Sequence, residues 1–223
     1  DMKGIYYNSF WGWQDGEKRN SRDKDVEEPI FMLSHYWKIS EKTNLNTNVA
    51  YQFGKIGNSR LEYQNARNPD PTYYQFLPSY HLNQGNPGQA ASAEQFFRQN
   101  GQIDWDAMYN ANQNAGRSVY ALYEDRTDDK TWTANTILST QLSDNIILNA
   151  GASYKKQKSE NFQNMLDLLG GATFLDIDAF QDGDRSQSDL NNPNRTIGVG
   201  ERFGYNYNIL SDQYDAFTQF KFT

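Results

Sequence analysis

Apolar and polar residues alternate one by one over much of this chain. From Leu45 to Lys55, Leu45, Thr47, Val49, Tyr51 and Phe53 fall on one side and Asn46, Asn48, Ala50, Gln52 and Gly54 on the other. A period of two is the signature of a β-strand with one apolar and one polar face. Trp132 to Leu142 repeats it, with Trp132, Ala134, Thr136, Leu138, Thr140 and Leu142 against Thr133, Asn135, Ile137, Ser139 and Gln141. After the two-residue turn Asp144-Asn145, Ile146, Leu148, Ala150, Ala152 and Tyr154 oppose Ile147, Asn149, Gly151, Ser153 and Lys155, which predicts a tight hairpin. Near the C-terminus, Tyr214, Ala216, Thr218, Phe220 and Phe222 oppose Asp215, Phe217, Gln219 and Lys221. Ile30 to Ser40 reads as a strand by composition, with both faces mixed. Strands are therefore expected at about 30–40, 45–55, 132–142, 146–155 and 213–222. Gly4 to Trp13 is left open between a further strand and an aromatic loop.

The connections alternate as the strands do. Turns of a few residues, Glu41 to Asn44 and Asp144-Asn145, fall at one end, and long segments, 57–130 and 156–211, at the other. Long structureless excursions are uncommon in compact soluble domains, whereas long loops on one side and short turns on the other is how outer-membrane barrels are built. On that reading 30–40 runs toward the periplasm, 45–55 outward, 132–142 inward, 146–155 outward and 213–222 inward. Alternation alone does not separate a barrel from a soluble sandwich, whose strands also have one apolar and one polar face. Two details favour the barrel: aromatics gather near strand ends (Tyr51, Phe53, Trp132, Tyr154, Phe220, Phe222), as in an interfacial girdle, and the apolar faces carry Thr and Ala.

Composition narrows the classes. The 223 residues are 37% hydrophobic yet 15% aromatic, too few for a large dry core and too many for a disordered tail. A net charge of -7 with scattered Lys and Arg argues against nucleic acid as a partner. The absence of Cys removes disulfides, thiolate metal sites and a cysteine nucleophile. No run approaches the roughly 18 apolar residues of a spanning helix.

Candidate chemistry sits in the long segments. The stretch 64–130 holds Tyr73, Tyr74, Tyr80, Trp105, Tyr109 and Tyr120 among Asn, Gln and Asp, a set suited to covering the apolar patches of a sugar or peptide, or else to packing the loop on itself. Ala90 to Asn100 reads as a short surface helix, and Pro69-Asp70-Pro71 as a rigid turn. Counting from Asp178, the residues Asp182, Gly183, Asp184, Ser186 and Asp189 fall at the fifth, sixth, seventh, ninth and twelfth places of a calcium loop. Phe180 spoils the third place and Asp189 stands where a longer Glu normally ends the loop, so a solvated acidic loop is the competing reading. Only His35 and His81 exist, Glu27 and Glu28 point apart in a strand, and no arrangement suggests an enzyme. On the polar strand faces, Asn46, Asn48, Gln52, Asn135, Gln141, Asn149, Ser153 and Lys155 are expected to line a wet lumen.

Trp13-Gln14-Asp15-Gly16, Val26-Glu27-Glu28-Pro29, Asn44 to Lys55, Gly57-Asn58-Ser59-Arg60 and Asn68-Pro69-Asp70-Pro71-Thr72-Tyr73-Tyr74, taken as an ordered series, resemble TonB-dependent receptors. They are similar to the barrel portion of receptors that carry a carboxypeptidase-regulatory-like N-terminal domain, relatives of the SusC-like group of Gram-negative outer membranes. The resemblance implies an all-β, antiparallel transmembrane barrel of 22 strands with a plug, of which this chain supplies five or six. No plug-like segment or TonB box is recognised, so the chain looks like a piece of a longer polypeptide. The partners implied are outer-membrane lipid, the remaining barrel and plug, the TonB complex and a surface lipoprotein. The implied role is import of an oligosaccharide, peptide or metal chelate, with no cofactor unless calcium. The alternatives are a soluble or surface-attached carbohydrate-binding sandwich, and a barrel scaffold in a secretion or assembly complex.

Overall fold

The computed structural model describes residues 3–222. It consists mainly of antiparallel sheet: β1 (Trp11–Gln14), β2 (Glu17–Asn20), β3 (Lys24–Glu27), β4 (Ile30–Ser40), β5 (Thr43–Tyr63), β6 (Tyr120–Ser143), β7 (Ile146–Asp167), β8 (Phe174–Leu175), β9 (Thr196–Ile197) and β10 (Arg202–Phe222). Three helices, α1 (Pro78–Asn83), α2 (Pro87–Gln99) and α3 (Trp105–Ala115), interrupt it between β5 and β6. The main sheet is six-stranded, in the order β10-β7-β6-β5-β3, with β4 also on β5; β1-β2 and β8-β9 are separate two-stranded sheets. None is closed into a barrel. The chain divides into two units. Unit 1 comprises the chain up to Lys24 with Asn58–Asp125 and Phe162–Tyr205; unit 2 comprises Asp25–Gly57, Arg126–Asn161 and the chain from Asn206.

Unit 2 is a single layer. The β4–β5 register pairs Phe31 with Tyr51, Leu33 with Val49, His35 with Thr47 and Trp37 with Leu45, so these eight share one face. Thr47 Oγ1 meets Thr136 Oγ1 at 3.1 Å, Thr43 meets Thr140 at 2.8 Å, and the Tyr51 and Trp132 rings stack with centroids 4.3 Å apart. Between β7 and β10 the Tyr154 and Tyr214 rings stack at 4.8 Å. On the opposite face Asn48 Nδ2 donates to Asn135 Oδ1 at 2.9 Å and Ser153 Oγ donates to Asp215 at 3.4 Å. Between β5 and β6 the Thr and aromatic contacts thus lie on one face and the Asn48–Asn135 contact on the other. Edge strands β4 and β10 are exposed along their unit 2 lengths, and β4 is mixed on both faces as its composition implies. Among the described residues no apolar side chain of unit 2 is buried.

Two local devices shape the β3–β4 edge. Pro29 has no N–H to give a ladder and separates the two strands, while its carbonyl accepts Phe53 N–H at 3.2 Å. Beside it Gly54 adopts φ +152, and a Cβ there would lie 1.8 Å from the Glu27 carbonyl oxygen, so the chain can pass there only without a side chain.

Unit 1 has what unit 2 lacks, a core. Ala121, Tyr123, Met165, Leu168, Phe174, Ile197 and Phe203 make one buried cluster; Ile103, Trp105, Met108, Tyr120, Leu122 and Leu169 make another. Ala121, Leu122 and Tyr123 are consecutive and all buried, so both faces of β6 are covered here. That is why the strands run well beyond the expected ends: β5 continues to Tyr63, β6 begins at Tyr120, β7 reaches Asp167 and β10 starts at Arg202. Where both faces are covered, alternation disappears from the sequence while the strand goes on. The expected long loops 57–130 and 156–211 shrink to 64–119 and 168–201, and the first is largely helical. The helix expected at 90–100 is α2, begun three residues earlier by Pro87 in its first turn. Gly4 to Trp13 holds no full strand. Its end enters β1, which turns into β2 through Asp15 (φ 50) and Gly16 (φ 83), the two left-handed residues of a tight hairpin turn.

Candidate functional site

The most developed concavity lies in unit 1: a cleft of about 600 Å³. One helix wall comes from α2, which offers Phe96, Phe97, Gln99 and Asn100, and another from α3, which offers Asp104, Ala107, Met108 and Ala111. Arg67 to Pro71, Phe76 and Trp13 complete its rim, with Ile103 and Tyr120 among the lining. A smaller hollow of about 210 Å³ shares Asn68, Pro69, Asp70 and Ile103 with it.

The cleft walls are fixed from behind. Asp104 caps α3, its Oδ1 accepting Ala107 N–H at 2.9 Å, and Gly116 ends the helix in the left-handed conformation at φ 70. Asn112 on α3 is fully buried. Its Nδ2 donates to the carbonyls of Tyr120 (2.8 Å), Leu168 (2.9 Å) and Leu169 (3.0 Å), while its Oδ1 accepts the N–H groups of Val119 (2.8 Å) and Tyr120 (2.9 Å). One amide thereby joins the helix to two strand ends. The rim is set by the expected Pro69-Asp70-Pro71 turn, where Asp70 Oδ1 accepts from Thr72 N at 2.8 Å and Thr72 Oγ1 at 2.7 Å. The Tyr120 hydroxyl donates to the Arg67 carbonyl at 2.6 Å, and burial pushes the phenol above its ordinary range despite the nearby Arg67 charge.

The six rings singled out as ligand contacts do not form one surface. Tyr73, Tyr74 and Tyr80 cluster edge-to-face with Phe76, Tyr73 and Tyr74 at 4.8 Å and Tyr74 and Tyr80 at 5.6 Å, and Tyr74 stays exposed. Trp105 is a correction: it is 0% exposed, its Nε1 donates to the Arg19 carbonyl at 3.2 Å, and it touches no solvent that a ligand could displace. Tyr109 accepts from Arg19 at 3.1 Å, beside the Arg19–Asp167 ion pair at 2.6 Å, as a packing residue. Tyr120 is buried yet lines the cleft. Self-packing explains Trp105 and Tyr109, because a long excursion needs its own core.

The acidic run is likewise dispersed. Asp178 Oδ1 accepts Phe180 N–H at 2.9 Å, and Asp189 accepts Asn191 N–H at 2.9 Å and Asn192 Nδ2 at 2.8 Å, donors that hold its carboxyl below the usual range. Asp182 precedes and Asp184 lies within a 3₁₀ turn, Gly183–Ser186. Among the described residues no three acidic or histidine side chains are grouped to hold a metal, so Asp178, Asp182, Asp184 and Asp189 do not assemble the calcium loop their spacing suggested. Asp176 is buried and clasps Arg195, also accepting Gly204 N–H at 2.9 Å.

Of the residues expected to line a lumen, Asn48 and Asn135 bond to each other and Ser153 bonds to Asp215. The Phe217 ring is seated against Gly151, where a Cβ would stand 2.5 Å from the ring edge. In unit 1 the sequence reading missed a cross-strand network: Asp125 accepts from Arg60 at 2.7 Å, Gln163 at 3.3 Å and Tyr205 at 3.0 Å. Glu62 stands near it, and burial raises its carboxyl above the ordinary range, helped by Asp178 and Asp125. The charged spacing of β5 and β6 carried no signal of either.

Comparison with protein-family models, with curated proteins and with solved structures returns no match.

Proposed function

We propose that unit 2 is part of the wall of an outer-membrane β-barrel, and that the chain belongs to a TonB-dependent receptor importing a nutrient such as an oligosaccharide, peptide or metal chelate. The observation that carries the reading is an uncovered apolar face on a single sheet. Phe31 (65% exposed), Leu33 (73%) and Trp37 (52%) lie on one side of β4, and Tyr214 (75%), Phe220 (53%) and Phe222 (74%) on one side of β10, all exposed among the described residues. Burying side chains of this kind is worth about 1.5–3 kcal/mol each. Covering only what these six expose would yield roughly 5–12 kcal/mol, as much as the whole stability of a typical domain. Acyl chains supply such a cover.

Dimensions support it. Trp132 to Leu142 is about 33 Å of strand, or about 25 Å after a barrel tilt of about 40°, the height of an outer-membrane apolar band. Tyr51, Trp132, Tyr154 and Tyr214 make an aromatic row at one end of that band. The amide face suits a wet lumen or a plug, and the open edges of β4 and β10 require further strands, since hydrocarbon does not tolerate unpaired backbone. Transport energised through TonB rests on the family resemblance. A soluble sandwich would need a second sheet over unit 2, and the other two sheets are two-stranded and belong to unit 1.

Flotation of the purified chain with phosphatidylcholine liposomes tests the reading. The chain is expected to float with the lipid and to need detergent otherwise; a monodisperse chain remaining in the aqueous fraction would contradict it.

A further inference from the structure

The unit 1 cleft carries one cation on its lining, Arg67, which is exposed to solvent. The Arg67 guanidinium carbon lies 4.1 Å from the Phe76 ring centroid and 5.7 Å from that of Phe96, the distances of cation–π contact. Among the described residues it forms no ion pair, although the chain is acidic and every other lining charge has donors of its own. Asp104 is occupied by the α3 N-terminus and Asp70 by Thr72. Arg67 is therefore open to an acceptor from outside, while the same lining holds Gln102 Oε1, a buried acceptor without a donor. A guanidinium offers five N–H donors in a rigid fork that matches a carboxylate, and contact with Phe76 holds that fork in place before any ligand arrives.

The rest of the lining fixes the ligand's body. Trp13, Phe96, Ile103 and Met108 provide apolar surface, and the volume, about 600 Å³, is that of a small-molecule site. We infer that this cleft binds a small organic carboxylate with an apolar ring or chain, its carboxylate on Arg67 and its body against Trp13 and Met108. A doubly charged phosphate fits less well, because Asp70 and Asp104 on the same lining repel the second charge. The inference rests on unit 1 alone and is independent of whether unit 2 meets lipid.

Isothermal titration of the purified full chain with 4-phenylbutyrate, and with 4-phenylbutyramide as its uncharged isostere, is the test. The carboxylate is expected to bind and the amide to bind at least about tenfold more weakly, the loss of one charge-assisted bond. Arg67→Met, which keeps the stem over Phe76, is expected to abolish the difference, and Arg67→Lys to retain part of it. Because the carboxylate–amide ratio is read on the unaltered chain, the test survives a variant that fails to fold. Absence of heat with phenylbutyrate at millimolar concentration, equal binding of acid and amide, or an Arg67→Met chain that still discriminates would each overturn the inference.

Discussion

Replacing Asn112 by Ala should be among the most damaging single changes in the chain, and its cost follows from the hydrogen bonds it removes. The side chain is fully buried and serves five backbone groups: three carbonyls share its two amide hydrogens and two N–H groups converge on its oxygen. Leu168 O keeps a second donor, Ser118 Oγ at 2.6 Å, so truncation strands the other four. A buried polar group left without a partner costs about 1–3 kcal/mol. Water entering the vacated space recovers part of this, and Ala is the better helix former by up to about 0.7 kcal/mol. The net expectation is a loss of about 3–5 kcal/mol from unit 1, at the extreme of single substitutions. Urea unfolding followed by near-ultraviolet circular dichroism reads it, since Trp105 packs in the same cluster. Asn112→Asp should be at least as harmful, because it keeps the acceptor and turns a buried carboxylate toward three carbonyl oxygens. A loss below about 1 kcal/mol for Ala, or a milder effect for Asp than for Ala, would refute the argument.

Trp105→Ala should cost about 3–5 kcal/mol as a core truncation, measured by the same unfolding, whereas Trp105→Phe should cost less and leave phenylbutyrate binding unchanged. Glu62→Gln should stabilise unit 1 at neutral pH. The folded Glu62 carboxyl titrates above its unfolded value of about 4.3, so its contribution is intact below that pH and is lost as pH rises through the folded value. The gap between variant and parent should therefore close in urea melts below about pH 4. Gly54→Ala should disrupt the β3–β5 pairing, since both its φ and the Glu27 carbonyl exclude a Cβ; amide exchange of Phe53 and Lys55 is expected to rise sharply, and unchanged protection would contradict the close approach.

In unit 2, β5 and the adjoining part of β6 were legible because apolar and polar residues alternate there, as Leu45 to Phe53 and Trp132 to Leu142 show residue by residue, whereas β4, mixed on both faces, was read from composition. The continuations of β5 and β6 were not, for two physical reasons. Ala121-Leu122-Tyr123 is covered on both sides and shows no period, and in the charged stretch that follows Glu124 and Asp129 bond across to β7 while Arg126 pairs with Asp128 along its own strand. Helix α3 was not among the expected elements: Trp105-Asp106-Ala107-Met108-Tyr109-Asn110 gives only a weak apolar stripe, although Asp104 caps its start and Gly116 ends it. The aromatic-rich segment 64–130 supplies most of the cleft lining. Which rings would be spent on packing depended on contacts with Arg19, Asp167 and Leu168, far away in sequence. The calcium spacing counted positions along the chain and said nothing about whether Asp178 and Asp189 would turn toward each other or toward their own backbone.

The central claim concerns what touches the apolar face, and the absence of Cys makes it directly measurable. Single cysteines introduced at Val49, Leu138 and Leu148, and at Asn48, Asn135 and Ser153, can be spin-labelled in liposome-reconstituted protein and probed with oxygen, which partitions into lipid, and a nickel chelate, which stays in water. The account predicts high oxygen and low nickel accessibility at the first three and the reverse or mutual protection at the second three, alternating residue by residue between 48 and 49. Labels at 49, 138 and 148 that are shielded from both reagents, or open to nickel, would contradict it.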